Sequence, residues 1–280
     1  MVLFNLHFLY FYLYLYLSLY LSLSLSSYLE SNIDTNLIQT SVQISQLAYC
    51  PYNEDNIYSD NIVFYNIEHS GVKAIVGFTY NHNSIFVSYR GSTNIINWIN
   101  NARLKMIYPF DYNLDAGVET GFYNSYTKVY DDVIKCIHYT SELFGVYDIL
   151  LTGHSLGAIS TILAHDLCQY HKKYNIIGLI TFGSPRIGND AFVKATNLLP
   201  IGFKYRVVHN DDVVPHLPPI ELNYSHIHTE ILYNEDNSKY IVCLNNEKNK
   251  CFSSCGNNSC LNTEDHLNYL NVTMGSYGDC

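Results

Sequence analysis

Tyr147-Asp148-Ile149-Leu150-Leu151-Thr152-Gly153-His154-Ser155-Leu156-Gly157-Ala158-Ile159-Ser160-Thr161-Ile162-Leu163-Ala164-His165-Asp166-Leu167-Cys168 decides how the rest of the chain is read. Its first six residues form a short apolar run of the kind that makes a buried strand. Its last eleven carry apolar residues at helical spacing. Between them stands a Gly-x-Ser-x-Gly pentapeptide, and a serine set between a strand and a helix in that frame is a nucleophile elbow. The turn is so sharp that backbone crowds the serine, and only glycine fits two residues to either side. Ser155 is thereby lifted clear of the sheet. The first N–H groups of the following helix point at the same spot, where they can stabilise an oxyanion. A capping serine on an ordinary helix is the bland alternative.

Working outward, apolar spacing from Asn36 to Tyr49 predicts a helix that ends near Cys50-Pro51. Val72 to Tyr80 and Ser84 to Tyr89 flank Asn81-His82-Asn83 and predict a β-hairpin, whose second strand runs into Arg90-Gly91-Ser92. Thr93 to Pro109 carries Ile95, Ile96, Trp98 and Ile99 on one face and asparagines elsewhere, the pattern of a short amphipathic helix. A helix is expected from Tyr123 to Leu143. Beyond the elbow, strands are expected at Ile176 to Phe182 and Tyr205 to His209, with a final pair at Thr229 to Tyr233 and Tyr240 to Cys243. Strands alternating with helices indicate an α/β fold: a mostly parallel central sheet with helices on both faces and its active loops at the carboxyl ends of the strands. No internal repeat and no linker appear after residue 31.

A serine hydroxyl is a poor nucleophile until a histidine takes its proton, and that histidine needs a buried acid to fix its tautomer. In an elbow fold the chain order is Ser, then Asp or Glu, then His. The segment after Val208 offers both Asp211 and Asp212 for the acid, each of which also reads as a turn residue. Among twelve histidines, His266 alone follows every predicted strand. His154 occupies the variable position of the elbow and is expected to point away from the site. The oxyanion needs at least two donors, for which the Leu156 backbone N–H and the loop residue Ser92 are placed.

The net charge of −10 argues against a nucleic-acid partner, whose phosphates need a basic surface. The first 29 residues carry no Asp, Glu, Lys or Arg, which marks residues 1–26 as a signal peptide or an N-terminal anchor, with residues 31–280 as one hydrolase domain outside the cytosol. Eight cysteines and sequons at Asn223, Asn257 and Asn271 fit that compartment. No CxxC pair occurs, which disfavours zinc in the C-terminal cysteine cluster.

Taken together, Tyr89-Arg90-Gly91-Ser92, Asn97-Trp98-Ile99, Gly121-Phe122-Tyr123-Asn124-Ser125-Tyr126, the elbow, Phe182 to Gly188, Asp212 to Pro219 and Asp265-His266-Leu267-Asn268-Tyr269 resemble, in order, the blocks of the fungal-type (class 3) lipases of the α/β-hydrolase fold. The resemblance covers about residues 40 to 280. It implies a triad of Ser155, Asp212 and His266, an oxyanion hole of Ser92 and Leu156, and a lid helix bearing Ile95, Ile96, Trp98 and Ile99. It also implies bridges Cys50–Cys280 and Cys243–Cys251, which would leave Cys255 with Cys260 as a local extra pair and Cys136 and Cys168 free or buried. Two departures stand out: Ala158 where the family usually has a second glycine, and Glu119 where a histidine is common.

The expected activity is hydrolysis of glycerolipid carboxylic esters through an acyl-enzyme, at a lipid–water interface with transient membrane-surface contact, and with no metal or organic cofactor. Competing readings are a phospholipase A1, an esterase for soluble or feruloyl esters, and a non-catalytic lipid-binding protein on the same fold. Oligomeric state is not legible.

Overall fold

The computed structural model describes residues 33–51, 57–92, 104–243 and 262–275. Ile95, Ile96, Trp98, Ile99, Cys251, Cys255, Cys260, Cys280, Asn257 and the leader lie outside these residues. From Asn36 onward the chain forms one compact unit. Among the described residues, no helix is long and apolar enough to cross a membrane.

A nine-stranded sheet runs through that unit. Its strands in chain order are β1 (Ile57–Tyr58), β2 (Asn61–His69), β3 (Val72–Thr79), β4 (Ser84–Tyr89), β7 (Asp148–His154), β8 (Asn175–Phe182), β9 (Phe203–His209), β10 (Glu230–Tyr233) and β11 (Tyr240–Cys243). Two small hairpins, β5 (Met106–Ile107) with β6 (Val118–Glu119) and β12 (Asn268–Tyr269) with β13 (Val272–Thr273), stand apart from it. The five strands β4, β7, β8, β9 and β10 are mutually parallel, while β1 to β4 form an antiparallel meander and β11 closes the other edge antiparallel to β10. Both expected hairpins are present, with Ala74 opposite Tyr89 in one and Tyr233 opposite Tyr240 in the other. β2 escaped the sequence reading.

Side chains alternate across the sheet, so each face collects its own apolar layer. From β7, Ile149 and Leu151 join the cluster containing Phe122, Val129 and Val133 of helix α2 (Thr120–Phe144) and Leu163 and Leu167 of α3 (Ser160–Tyr170). On the opposite face, the Thr152 hydroxyl meets the Ser45 hydroxyl of α1 (Thr35–Leu47) at 2.8 Å. Helices therefore cover both faces, as the sequence pattern requires.

The α2 helix begins three residues earlier than its apolar pattern predicts because Glu119 caps it, its carboxylate accepting the Phe122 N–H at 2.8 Å. It ends at Gly145, whose φ of 65° is the left-handed cap that glycine adopts freely. A fourth helix, α4 (Asp190–Leu198), starts behind Asn189, whose side chain accepts the Phe192 N–H. Cys136 and Cys168 are free, the first buried and the second half-buried, whereas Cys50 and Cys243 are in disulfides whose partners lie outside the described residues. Asn223 and Asn271 are exposed at turns with φ of 67° and 61°.

Candidate active site

Parallel strands in one direction bring the loops after β4, β7, β8 and β9 to one edge of the sheet, and each delivers a part of the site. β7 ends at His154, and Ser155 follows with φ 58°, a left-handed conformation uncommon for a residue with a side chain. Strain of this kind costs about 1–3 kcal/mol and is held only where the surroundings over-determine it. Here they do. A Cβ on Gly153 would lie 2.3 Å from the Gly157 carbonyl oxygen, and one on Gly157 would lie 2.1 Å from that of Tyr89. After the serine the chain turns through a 3-10 segment, Ser155 to Ile159, before α3 begins, so the helix starts later than its apolar pattern suggests.

The loop after β9 carries Asp212, one of the two candidates for the acid. Asp212 is fully buried, and its carboxylate accepts from the Val214 N–H at 2.8 Å, from the Tyr269 hydroxyl, and from His266 Nδ1 at 3.0 and 2.9 Å to its two oxygens. Asp211 does not reach His266: its backbone N–H instead donates to Asp265 at 3.1 Å. Asn210 donates to the same Asp265 carboxylate at 2.8 Å, and a bridge between Asp212 and Asn262 ties the acid loop to the segment that carries the histidine. Because Nδ1 faces a carboxylate it carries the proton, which leaves the lone pair on Nε2. His266 is 1% exposed, and its Nε2 has no partner among the described residues. The Ser155 hydroxyl is likewise buried without a partner. Buried polar atoms are as a rule hydrogen-bonded, so these two call for an explanation.

The loops after β4 and β8 close the site from either side. A Cβ on Gly91, in the turn before Ser92, would lie 2.9 Å from the Ser155 Cβ, so the turn sits against Ser155. Leu156, next in the chain, is half-buried. Gly183, with φ 56°, would bring a Cβ within 2.9 Å of both Asp212 Oδ2 and His266 Nδ1. Its room is taken by Asp212 and His266. Arg186, three residues on, donates to the carbonyls of His216 and Pro218 at 2.6 Å and so braces the segment that follows Asp212.

One expectation fails. His154 does not point away: its ring lies 4.4 Å centroid to centroid from that of His266, and its Nε2 donates to the His266 carbonyl at 2.7 Å. The Tyr49 hydroxyl meets its Nδ1 at 2.6 Å. The sequence reading also missed Tyr269 as a donor to Asp212. Its signal was the spacing of three from His266 across a turn into β12, within a block already noted as a whole.

Residues 86–222 match the family model described as Lipase (class 3). The chain is 36% identical over 162 residues to a secreted mono- and diacylglycerol lipase of Fusarium solani, covering 58% of this chain and 47% of that one. It is 31% identical over 201 residues to a lipase of Rhizomucor miehei, covering 69% and 53%. The chain thus spans about half the length of the curated relatives it matches. A solved structure of Rhizomucor miehei triacylglyceride lipase superposes with a TM-score of 0.76 at 25% identity, covering 87% of this chain and 96% of that one.

Proposed function

Because the chain belongs to the fungal-type class 3 lipase family and has the α/β-hydrolase fold, we propose that it hydrolyses the carboxylic esters of glycerolipids with Ser155 as nucleophile, His266 as base and Asp212 as acid. The observation that carries this reading is the buried Asp212–His266 pair together with two buried atoms, His266 Nε2 and Ser155 Oγ, that have no partner among the described residues.

The chemistry follows from the hydrogen bonds. His266 Nε2, with its lone pair free, takes the Ser155 proton as the hydroxyl oxygen attacks the ester carbonyl. Asp212 balances the imidazolium that forms. The carbonyl oxygen, now an oxyanion, is received by the Leu156 N–H and by the Ser92 turn. His266 then gives its proton to the departing alcohol, an acyl-enzyme remains on Ser155, and water activated by the same histidine releases the fatty acid.

The chain works outside the cytosol in this reading, an inference supported by the secreted relative. Its partner is a lipid surface, to which the apolar side chains Ile95, Ile96, Trp98 and Ile99 are suited by their chemistry. A fluorophosphonate probe tests the chemistry: a covalent adduct on Ser155 is expected, and its absence from folded protein would leave a binding protein instead. The substrate class is tested by rate against concentration. A long-chain triglyceride is expected to show a sharp rise once it forms droplets, and a soluble short-chain ester none. Smooth saturation on both would move the assignment to a soluble-ester esterase.

A further inference from the structure

One hydroxyl connects three loops of the site. The Tyr49 oxygen, buried just beyond the end of the N-terminal helix, lies at hydrogen-bond distance from His154 Nδ1. A Cβ on Gly91 would fall 2.1 Å from that oxygen, so the turn before Ser92 sits directly upon it. His154 in turn reaches His266 by its Nε2 and by the face of its ring.

The directions of these bonds are fixed by chemistry. The His266 carbonyl can only accept, so His154 Nε2 carries a proton. Nδ1 of a neutral ring then accepts, and Tyr49 donates to it. The chain therefore reads Tyr49 O–H to His154 and His154 N–H to the backbone of His266, with the Gly91 turn packed on the Tyr49 oxygen.

We propose that Tyr49 and His154 are positioning residues for ester hydrolysis, acting as one strut that holds the oxyanion turn, the nucleophile and His266 in a single register. The proposal rests on the ester-hydrolase reading above. Burial, followed by the proximity of His266, holds the His154 pKa well below the usual histidine value. That matters, because the reaction places a positive charge on His266, and a cationic ring 4.4 Å away would oppose it. A neutral ring at that distance does not. Charge and geometry are thus served by the same contact. The groups facing His154 are Tyr49, His266 and Tyr269, whose ring lies 5.7 Å away; none is a carboxylate that would favour its protonation.

Tyr49→Phe removes one atom and leaves the ring in place. On a soluble ester, kcat is expected to fall by about tenfold or more with KM changed by less than about twofold, and fluorophosphonate labelling of Ser155 to slow in parallel. His154→Phe keeps a ring against His266 but loses both hydrogen bonds, whereas His154→Gln keeps a donor and an acceptor without the ring. The glutamine variant is expected to retain more turnover than the phenylalanine variant, and Tyr49→Phe is expected to add little to either. Unchanged kcat in Tyr49→Phe, or labelling per folded molecule equal to the parent's in all three variants, would overturn the proposal. Failure of the ester-hydrolase reading looks different: the unsubstituted protein would neither turn over esters nor label.

Discussion

Gly157 and Tyr269 show how little freedom single positions in the site have. A methyl group at Gly157 would be driven into the Tyr89 carbonyl, the backbone of the adjoining strand, so Gly157→Ala is expected to yield little folded, soluble protein, as judged by a cooperative melt. Tyr269→Phe should fold, since the ring stays packed between Phe182 and His209. It removes one donor from a buried carboxylate, a loss of about 1.5–3 kcal/mol where the partner is charged, and kcat is expected to drop by about tenfold or more with KM unchanged. Ser155→Ala and His266→Ala should each reduce turnover by several orders of magnitude, and the double variant by scarcely more, because the members act as a unit. Asp212→Asn is expected to exceed Asp211→Asn in effect. The reverse order would place the acid on the wrong side chain.

At the scale of elements, the elbow was legible because two glycines, a serine, an apolar run and a helical spacing all constrain one short stretch. The acid and base were narrower inferences. Chain order excluded most histidines, yet it left Asp211 and Asp212 open, since neighbours in a turn differ only in which way the backbone aims them. The structure pairs Asp212 with His266. Tyr49 was not legible as part of the site, because it lies 105 residues from His154 in sequence and meets it only when the N-terminal helix docks. β2 was missed for another reason: Tyr65, Asn66, Glu68 and His69 blur the alternation that marks a half-buried strand. The disulfides belong to this scale too. Cys50 stands just after the first helix, and a link from it to Cys280 would close a loop of over two hundred residues, worth about 5 kcal/mol at most in the entropy model. Peptide mapping of unreduced protein is expected to recover the two ends joined; a free thiol on Cys280 would contradict the pairing.

For the molecule as a whole, buried histidines set the response to acid. Burial lowers the pKa values of His154, His165, His216 and His226, to about 4 for His165 and His216. Each is neutral in the folded state and protonated in the unfolded chain below about pH 6.5, so unfolding takes up protons and stability falls as pH drops from there towards 4. Glu119 and Asp166, whose pKa values burial raises, act with the opposite sign and offset part of the loss. The melting temperature is therefore expected to fall between about pH 7 and about pH 5, with net proton uptake on unfolding measured by calorimetry in buffers of different ionisation enthalpy. A flat profile, or proton release, would contradict this balance.

The parallel strands also divide the molecule into a working end and an idle one. The loops after β4, β7, β8 and β9 hold the proposed site, while the turn at His171 to Tyr174, which leads into the start of β8, lies at the opposite edge of the sheet. Lys172 is exposed there. A bead or electrode coupled at that residue would hold the molecule with the mouth of the Ser155 site facing outward. The same coupling made beside Leu267, next to His266 and itself exposed, would turn the mouth to the wall.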